Sequence, residues 1–288
     1  MSHRRNIPAL LAVAAGVGLA AAPGARPAGR PAVAALQVTL WHHHVYRGPV
    51  DGIVGPGTTA AVIRFQRRHG LTSDGVVGPR TRRAFGPFAA HVLGSRPLAL
   101  GTAGWDVAEL QFALAWHGFP NSTINGGFGV HVQRALVKFQ RWAGLTPDGV
   151  AGPATVRALR APLPRCPISL AWPLRGPVGD RFGPRGRSFH SGIDLPAAPG
   201  TPVAAAGSGQ VTFAARAPGY GNLVEVAHAR GVSTLYAHMA AITVRVGQLV
   251  RTGSRVGRVG STGEATGPHL HFEVLLRGAA VDPLPALP

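Results

Sequence analysis

Apolar residues recur at helical spacing in the N-terminal half of the chain. Leu36 and Leu40 lie four residues apart, and so do Leu110 and Leu114. Residues at this spacing share one face of a helix, which indicates helices that bury their leucines in a core. The pattern predicts helices over residues 34–45, 57–68, 107–117 and 131–142.

The helical half of the chain is a tandem duplication with an offset of 74 residues. The matching segments are Leu36-Gln37 with Leu110-Gln111, Phe65-Gln66-Arg67 with Phe139-Gln140-Arg141, Asp74-Gly75-Val76 with Asp148-Gly149-Val150, and Gly78-Pro79 with Gly152-Pro153. Proline is tolerated in the first turn of a helix, so Pro79 and Pro153 predict the start of a third helix in each copy. The aspartate of each Asp-Gly-Val turn can accept hydrogen bonds from nearby backbone amides. Each repeat is therefore predicted to be a three-helix unit.

The pattern changes from Trp172 onward, where short stretches of β-branched and aromatic residues are separated by glycine-rich turns. The predicted strands are residues 210–213, 223–226, 233–236, 255–259 and 269–276. Short strands between tight turns are typical of antiparallel β structure. The predicted fold class is multidomain, with two small all-α three-helix repeats followed by a mostly antiparallel β domain.

The first residues have the order of an export signal. Residues 3–5 are mostly basic, residues 7–22 are apolar, and Ala-x-Ala-like sites follow at residues 20–22 and 32–34. This order is typical of a secretory signal peptide. An uncleaved anchor and a twin-arginine signal are alternatives. We expect residues 1–34 to form a signal peptide and a short spacer, and the rest of the protein to be extracellular or associated with the cell wall.

Composition narrows the classes of partner. Of 288 residues, 29 are Lys or Arg and 11 are Asp or Glu, which gives a formal net charge of +18, but the basic residues are scattered. A nucleic-acid-binding protein is expected to show a basic stripe and a reading motif, and the sequence has neither. The charge suits an acidic cell wall as partner. Cys166 is the single cysteine, which excludes an internal disulfide, and no apolar run reaches the roughly 20 residues of a membrane span.

Histidines in the C-terminal half carry the candidate chemistry. His269 and His271 are two apart on a predicted strand, so both imidazoles point to the same face. His190 and Asp194 lie upstream in a loop or strand, and His238 ends another predicted strand. Two imidazoles and one carboxylate form a three-ligand zinc site that leaves one position for water. The alternative is that these histidines are buried, hydrogen-bonded residues of a β core.

For three neighbouring residues the sequence favours no catalytic role. Glu273 shares the strand face of the two histidines, and we expect a structural ion pair there in preference to a contact that supports a metal ligand. Tyr220 and Asn222 either line a groove or form a turn.

Three consecutive histidines, residues 42–44, follow Trp41 near the end of the first predicted helix. Successive helical residues point about 100° apart, so the three rings cannot all face one ion. We expect a solvated helix end at this position.

The C-terminal region carries a set of short motifs. They are Phe182-Gly183-Pro184-Arg185, His190-x-x-x-Asp194, Gly219-Tyr220-Gly221-Asn222, Tyr236-Ala237-His238 and Gly267-Pro268-His269-Leu270-His271-Phe272-Glu273-Val274. Together they resemble the lysostaphin/LytM-type zinc endopeptidases. The resemblance implies that His190, Asp194 and His271 bind Zn2+. It also implies that His269 is the general base for a zinc-activated water and that His238 polarises the site or stabilises the oxyanion.

The repeated Leu-Gln, Phe-Gln-Arg and Asp-Gly-Val-x-Gly-Pro-x-Thr pattern resembles the small helical peptidoglycan-binding domain found beside many wall hydrolases. The predicted layout after the signal segment has a first repeat at residues 35–88, a second at 104–162, a linker at 163–170 and a zinc endopeptidase domain at 171–288.

The two resemblances imply a secreted bacterial metalloprotease that cleaves peptide bonds in peptidoglycan stems or cross-links, with the repeats as tethers. Peptidoglycan is the expected substrate and anchoring surface. We expect a monomer that binds no nucleic acid and has no stable membrane insertion once the signal is removed. One alternative is a catalytically silent wall-binding protein or an activator of another hydrolase. A second is inhibition in cis, with the repeats covering the groove until the linker is cut.

Overall fold

The computed structural model describes residues 29–288. The α-helices of this described chain are α1 Pro31–His42, α2 Pro56–Arg68, α3 Pro79–Ala84, α4 Trp105–Trp116, α5 Val130–Trp142 and α6 Pro153–Ala158. All six match helices predicted from the sequence, and their starts differ from the predicted ones by three residues or fewer. Most of the predicted signal peptide lies outside the described residues, whereas the candidate site at residues 32–34 lies inside α1.

A buried glutamine fixes the Asp-Gly-Val turn of each repeat. In the first repeat, Gln66 donates to Asp74 Oδ1 at 2.8 Å and accepts a hydrogen bond from the backbone amide of Gly75 at 2.9 Å. In the second repeat, Gln140 makes both bonds again, at 2.7 and 2.9 Å. The aspartate of each turn also accepts from the backbone amide two residues on, at 2.9 Å. The folding role predicted for these aspartates is therefore confirmed.

The first helices of the two repeats pack against each other. Leu40 of α1 and Phe112 of α4 belong to one buried cluster, and α4 is buried along its whole length. The leucine spacing predicted one buried face, but the partner repeat covers the other faces as well. Within the described residues, no helix combines the length and the apolar character needed to cross a membrane.

The histidines that follow Trp41 do not converge. His42 and His44 are exposed, while His43 is half-buried with its ring 4.8 Å from that of Phe65. The expected solvated helix end is therefore right for His42 and His44 and wrong for His43, which the core of the first repeat partly covers.

The C-terminal half is built from antiparallel strands. They are β1 Gly183–Arg185, β2 Ser188–His190, β3 Ile193–Pro196, β4 Pro202–Ala204, β5 Gly209–Ala217, β6 Gly221–Ala227, β7 Val232–Met239, β8 Ala241–Ile242, β9 Leu249–Val250, β10 Arg255–Arg258, β11 His269–Leu276 and β12 Ala279–Val281. The largest sheet has the order β12-β11-β7-β6-β5-β9, and β3 also pairs with β11. A second sheet has the order β4-β10-β8, and β1 and β2 form a hairpin. Short 3-10 helices occur at Pro87–Ala89, Ala229–Gly231 and Leu284–Ala286. The predicted fold class is confirmed.

Strand β11 separates core from site by alternation. Leu270 and Phe272 are fully buried in the core of the β domain. His269 and His271 point to the opposite face, as the period of two predicts. The hydrophobic side of the strand therefore anchors the backbone that positions both histidines.

The second repeat is packed directly on the β domain. The ring of Trp116 lies 6.0 Å from that of Phe182 and 5.3 Å from that of Phe189. Trp142 Nε1 donates to the backbone oxygen of Leu276 at 3.1 Å. These contacts fix the repeat beside the end of β11.

Candidate metal centre

Three strands bring the predicted ligands together. His190 ends β2, and Asp194 lies in β3 directly opposite His271 of β11. Gly192, between β2 and β3, permits this approach, because a Cβ at that position would lie 2.3 Å from the backbone oxygen of Phe272. A glycine is therefore required where the turn crosses β11.

The three donor atoms form a small triangle. Asp194 Oδ1 lies 3.1 Å from His190 Nε2 and 2.8 Å from His271 Nδ1, and the two nitrogens are 3.0 Å apart. In the part of the chain that the structure describes, this is the group of three that could hold a metal ion. A tetrahedral zinc ion with bonds of about 2.0–2.1 Å separates its ligands by about 3.3 Å, so the triangle needs little expansion to fit.

The outer hydrogen bonds of both imidazoles turn their lone pairs inward. His190 Nδ1 lies 3.0 Å from the backbone oxygen of Arg181, and His271 Nε2 lies 2.9 Å from Glu273 Oε1. Both partners only accept, so the outer nitrogen of each ring carries a proton, and in the neutral form that metal binding requires each ring directs a lone pair into the triangle. Two lone pairs and one anionic oxygen then face each other, which a cation between them would stabilise, and these residues therefore fit a zinc ion.

Arg185 holds the other oxygen of the aspartate. Its guanidinium donates to Asp194 Oδ2 at 2.7 Å and contacts Asp180 Oδ2 at 2.8 Å. Asp194 Oδ1 is thereby left for the triangle. Sequence reasoning placed Arg185 in a motif but gave it no role, because its spacing from Asp194 has no period that predicts contact.

The charges of the triangle shift the pKa values of its members. Burial alone would raise the pKa of Asp194, but hydrogen bonds from His190 and His271 outweigh it and hold that pKa far below its usual range. Burial alone would lower the pKa of His271, but Asp194 and Glu273 together raise it to about 9. A proton on His271 thus balances the carboxylates when no metal is bound.

His269 and His238 stand beside the triangle. His269 Nε2 lies 3.6 Å from Asp194 Oδ1, and its Nδ1 is 2.8 Å from the backbone oxygen of Gly267. His238 Nδ1 is 2.8 Å from the backbone oxygen of Thr262, and its ring is 4.9 Å from that of His269. When either ring is neutral, its hydrogen-bonded Nδ1 therefore carries the proton and its Nε2 is the acceptor.

Glu273 is the centre of a buried polar network behind the triangle. The residue is 2% exposed. Oε1 accepts hydrogen bonds from His271 Nε2, the Tyr220 hydroxyl at 2.9 Å and the Ser191 hydroxyl. The sequence left a structural ion pair of Glu273 and a contact that supports a metal ligand as alternatives. Glu273 pairs with the candidate ligand His271 itself, so both descriptions apply to one interaction. Strand parity was the sequence signal for this contact.

The helical repeats do not cover the triangle. Among the described residues, those that line the pocket around it all lie between Asp180 and Glu273, in the β domain. The alternative of inhibition in cis, with the repeats covering the groove, therefore finds no support at the triangle in the described part of the chain.

Comparison with known families gives two matches. Residues 188–283 match Peptidase family M23. Residues 29–85 and 104–159 match the family described as "Putative peptidoglycan binding domain".

Two relatives with named activities align with parts of the chain. The DD-carboxypeptidase/endopeptidase Mpg of Neisseria gonorrhoeae is 48% identical over 113 residues, which is 38% of this chain and 26% of that protein. The peptidoglycan DD-endopeptidase ShyB of Vibrio cholerae is 33% identical over 201 residues, which is 67% of this chain and 45% of that protein. The chain thus spans about a quarter of the length of the first relative and less than half of the second.

Among solved structures, the catalytic domain of lysostaphin from Staphylococcus simulans is 34% identical, with a TM-score of 0.37. The match covers 38% of this chain and 90% of that one.

Proposed function

We propose that this protein is a zinc-dependent endopeptidase that hydrolyses the peptides of peptidoglycan. The proposal follows from the match of residues 188–283 to peptidase family M23 and from the two matches to a peptidoglycan-binding domain that precede it. The observation that carries the proposal is the triangle of His190 Nε2, Asp194 Oδ1 and His271 Nδ1, whose sides measure 2.8–3.1 Å. The names of the relatives Mpg and ShyB support an amide bond of the wall as the target.

Zinc bound by the triangle would polarise the scissile carbonyl and lower the pKa of the attacking water. His269 is the general base in this proposal, because its Nε2 is an acceptor 3.6 Å from the triangle. A base at that position removes the proton that the water loses on attack. Arg185 and Glu273 act as positioning residues, since they hold Asp194 and His271 by their outer atoms.

His238 contributes as an acceptor in its neutral form. Burial lowers the pKa of His238, although its bond to Thr262 offsets part of this effect. The oxyanion role expected from the sequence requires a protonated Nε2, which a lowered pKa opposes at neutral pH. We therefore assign His238 to orienting the water or sharing its proton with His269.

The proposed setting is the cell envelope or the extracellular wall, where the repeats hold the enzyme on its substrate. Peptidoglycan is accordingly both the anchoring surface and the substrate.

The test compares two histidines two residues apart. His271→Ala is expected to lose zinc and wall digestion, because a ligand is missing. His269→Ala is expected to keep zinc and lose turnover by about a hundredfold or more, because a general base is missing. Metal analysis and release of peptide fragments from purified wall provide the readouts, with exposed His44→Ala as control. Full turnover in His269→Ala would refute the base, and zinc retained in His271→Ala would refute the ligand set.

A pH titration separates a metal site from a buried cluster of hydrogen-bonded histidines. Zinc must displace the proton of His271, whose pKa is raised to about 9 in the metal-free protein. Apparent zinc affinity should therefore rise about tenfold per pH unit until about pH 9, and occupancy should be lost in acid. Zinc content that does not change down to about pH 4 would count against a histidine-bound ion.

The second candidate is the catalytically silent wall binder or activator. It would be favoured if the zinc-loaded protein sediments with purified wall but releases no peptide. The complete set of three candidate zinc ligands favours the enzyme, because binding to the wall alone does not require three metal-binding side chains at one point.

A further inference from the structure

A groove runs between the second repeat and the β domain. Its cavity volume is about 450 Å³, which is within the range of small-ligand sites. The repeat contributes the segment Phe119–Ser122 and residues of α5 that include the basic side chains of His131, Arg134 and Lys138. The β domain contributes Ser191, Tyr220, Leu235, Glu273 and Leu275.

The groove is continuous with the metal centre. Ser191, Tyr220 and Glu273 line both the groove and the pocket around the triangle. On β11, Leu275 follows His271 and Glu273 on the same strand face, so the groove extends the surface that carries the site. A peptide lying on this face reaches the second repeat.

The helical wall of the groove is basic and its charges are unpaired. His131, Arg134 and Lys138 lie at spacings of three and four on α5, so they share one exposed face. The ion pairs of the described residues include neither Arg134 nor Lys138. The acid across the groove, Glu273, already accepts hydrogen bonds from His271, Tyr220 and Ser191. The groove therefore presents uncompensated positive charge.

The first repeat provides an internal comparison. Its equivalent positions, 74 residues earlier, hold Gly57, Ala60 and Arg64. Arg64 is bonded to the backbone oxygen of Val45 at 2.7 Å, so its charge is engaged locally. The basic face is thus a property of the copy that borders the metal centre and is not required by the fold.

We propose that this groove is a subsite for a carboxylate-bearing segment of the peptide substrate, with Arg134 and Lys138 binding the carboxylate. The second repeat is then part of the substrate site as well as a tether. The inference rests on the proposed function for the identity of the peptide, and stem peptides carry the free carboxylates it requires. The groove is preformed, because the contacts of Trp116 and Trp142 fix α5 beside β11.

Binding to the metal-free, full-length protein tests the subsite without turnover. The probes are an acetylated tetrapeptide with a free C-terminal carboxylate and the same peptide as its C-terminal amide, titrated by calorimetry at low salt. We expect the carboxylate peptide to bind at least about tenfold more tightly than the amide. The double variant Arg134→Gln/Lys138→Gln should abolish this difference, and Lys138→Arg should keep it.

The matched control is Arg141→Gln, which removes an exposed positive charge from the same helix outside the groove. Thermal unfolding verifies that each variant is folded, which is expected because these side chains are exposed. Equal binding of both peptides to the unaltered protein, no binding of either, or an equal loss in Arg141→Gln would each overturn the subsite. A binding difference in the metal-free protein, together with no peptide hydrolysis by the zinc-loaded protein, would instead leave the subsite standing and refute the proposed function.

Discussion

The two helical repeats are copies of one fold placed in different surroundings. Val50 and its equivalent in the second repeat, Ile124, make the same kind of contact with the β domain. The backbone amide of each donates a hydrogen bond to the turn between β1 and β2. Val50 binds the oxygen of Gly186 and Ile124 that of Arg187, each at 2.7 Å. The β domain therefore touches the repeats symmetrically at this turn.

The repeats differ where the neighbour differs. His44 lies two residues after the end of α1, where it is exposed and has a φ of 56°. Its equivalent, Gly118, has a φ of 87°, and a Cβ there would lie 2.3 Å from the backbone oxygen of Ala280. Residues shared by both copies thus serve the helical unit, while residues that differ report what packs against each copy.

Substitution at this helix end should give the largest contrast between the copies. Gly118→Ala adds a Cβ against β12 at a left-handed dihedral, and we expect a loss of about 3–5 kcal/mol in unfolding free energy. His44→Gly should change stability by about 1 kcal/mol or less, because nothing packs there. Denaturant unfolding of both variants measures the contrast. Equal effects would mean that the second repeat is not fixed against β12.

The buried glutamines should show where the copies are alike. Gln111 accepts hydrogen bonds from the amides of Asn125 and Gly126 at 3.0 and 2.8 Å, and Gln37 accepts from that of Gly52 at 2.9 Å. Gln111→Ala and Gln37→Ala should each cost about 2–3 kcal/mol, since buried polar groups lose their partners. Chemical unfolding is the measurement. A loss confined to one copy would contradict a shared structural role.

Two arginines of the β domain should differ more modestly. The guanidinium of Arg187 lies 3.7 Å above the ring of Trp41 in the first repeat, and that of Arg277 lies 5.0 Å from the ring of Trp142 in the second. Arg187→Ala should cost about 0.5–1 kcal/mol and Arg277→Ala less, because the cation–π attraction weakens with distance. Thermal unfolding should resolve the order, and the reverse order would refute this account.

The smallest difference is expected in the pH dependence of stability, at the equivalent histidines His43 and His117. Burial lowers the pKa of both histidines, and His117 is 2% exposed whereas His43 is only half-buried. Below about pH 6.5, the unfolded chain takes up a proton that the folded chain resists, so stability falls as pH decreases and is regained above that value. His117→Gln should flatten this dependence more than His43→Gln. Melting temperatures at about pH 7.5 and pH 5.5 provide the check.

Local patterns were sufficient to predict the helices and the site strand. Pro79 and Pro153 begin their helices because proline suits the first turn. Alternation on β11 placed His269 and His271 on one face, because a strand has a period of two whatever surrounds it. The ligand roles of His190, Asp194 and His271 came from resemblance, and the structure adds that their donor atoms meet. Arg185 and the packing of the repeats on the β domain could not be predicted, because no local period encodes those contacts.

The sequence by itself determined the duplication, the helical and strand periods and the residue types able to hold a divalent ion, since each depends on neighbours a few positions apart. Tertiary structure alone decided that Gly118 has no room for a side chain and that α5 lines the groove beside the candidate metal centre. Those facts depend on contacts between the second repeat and the β domain, which form only when the helical and β halves pack together.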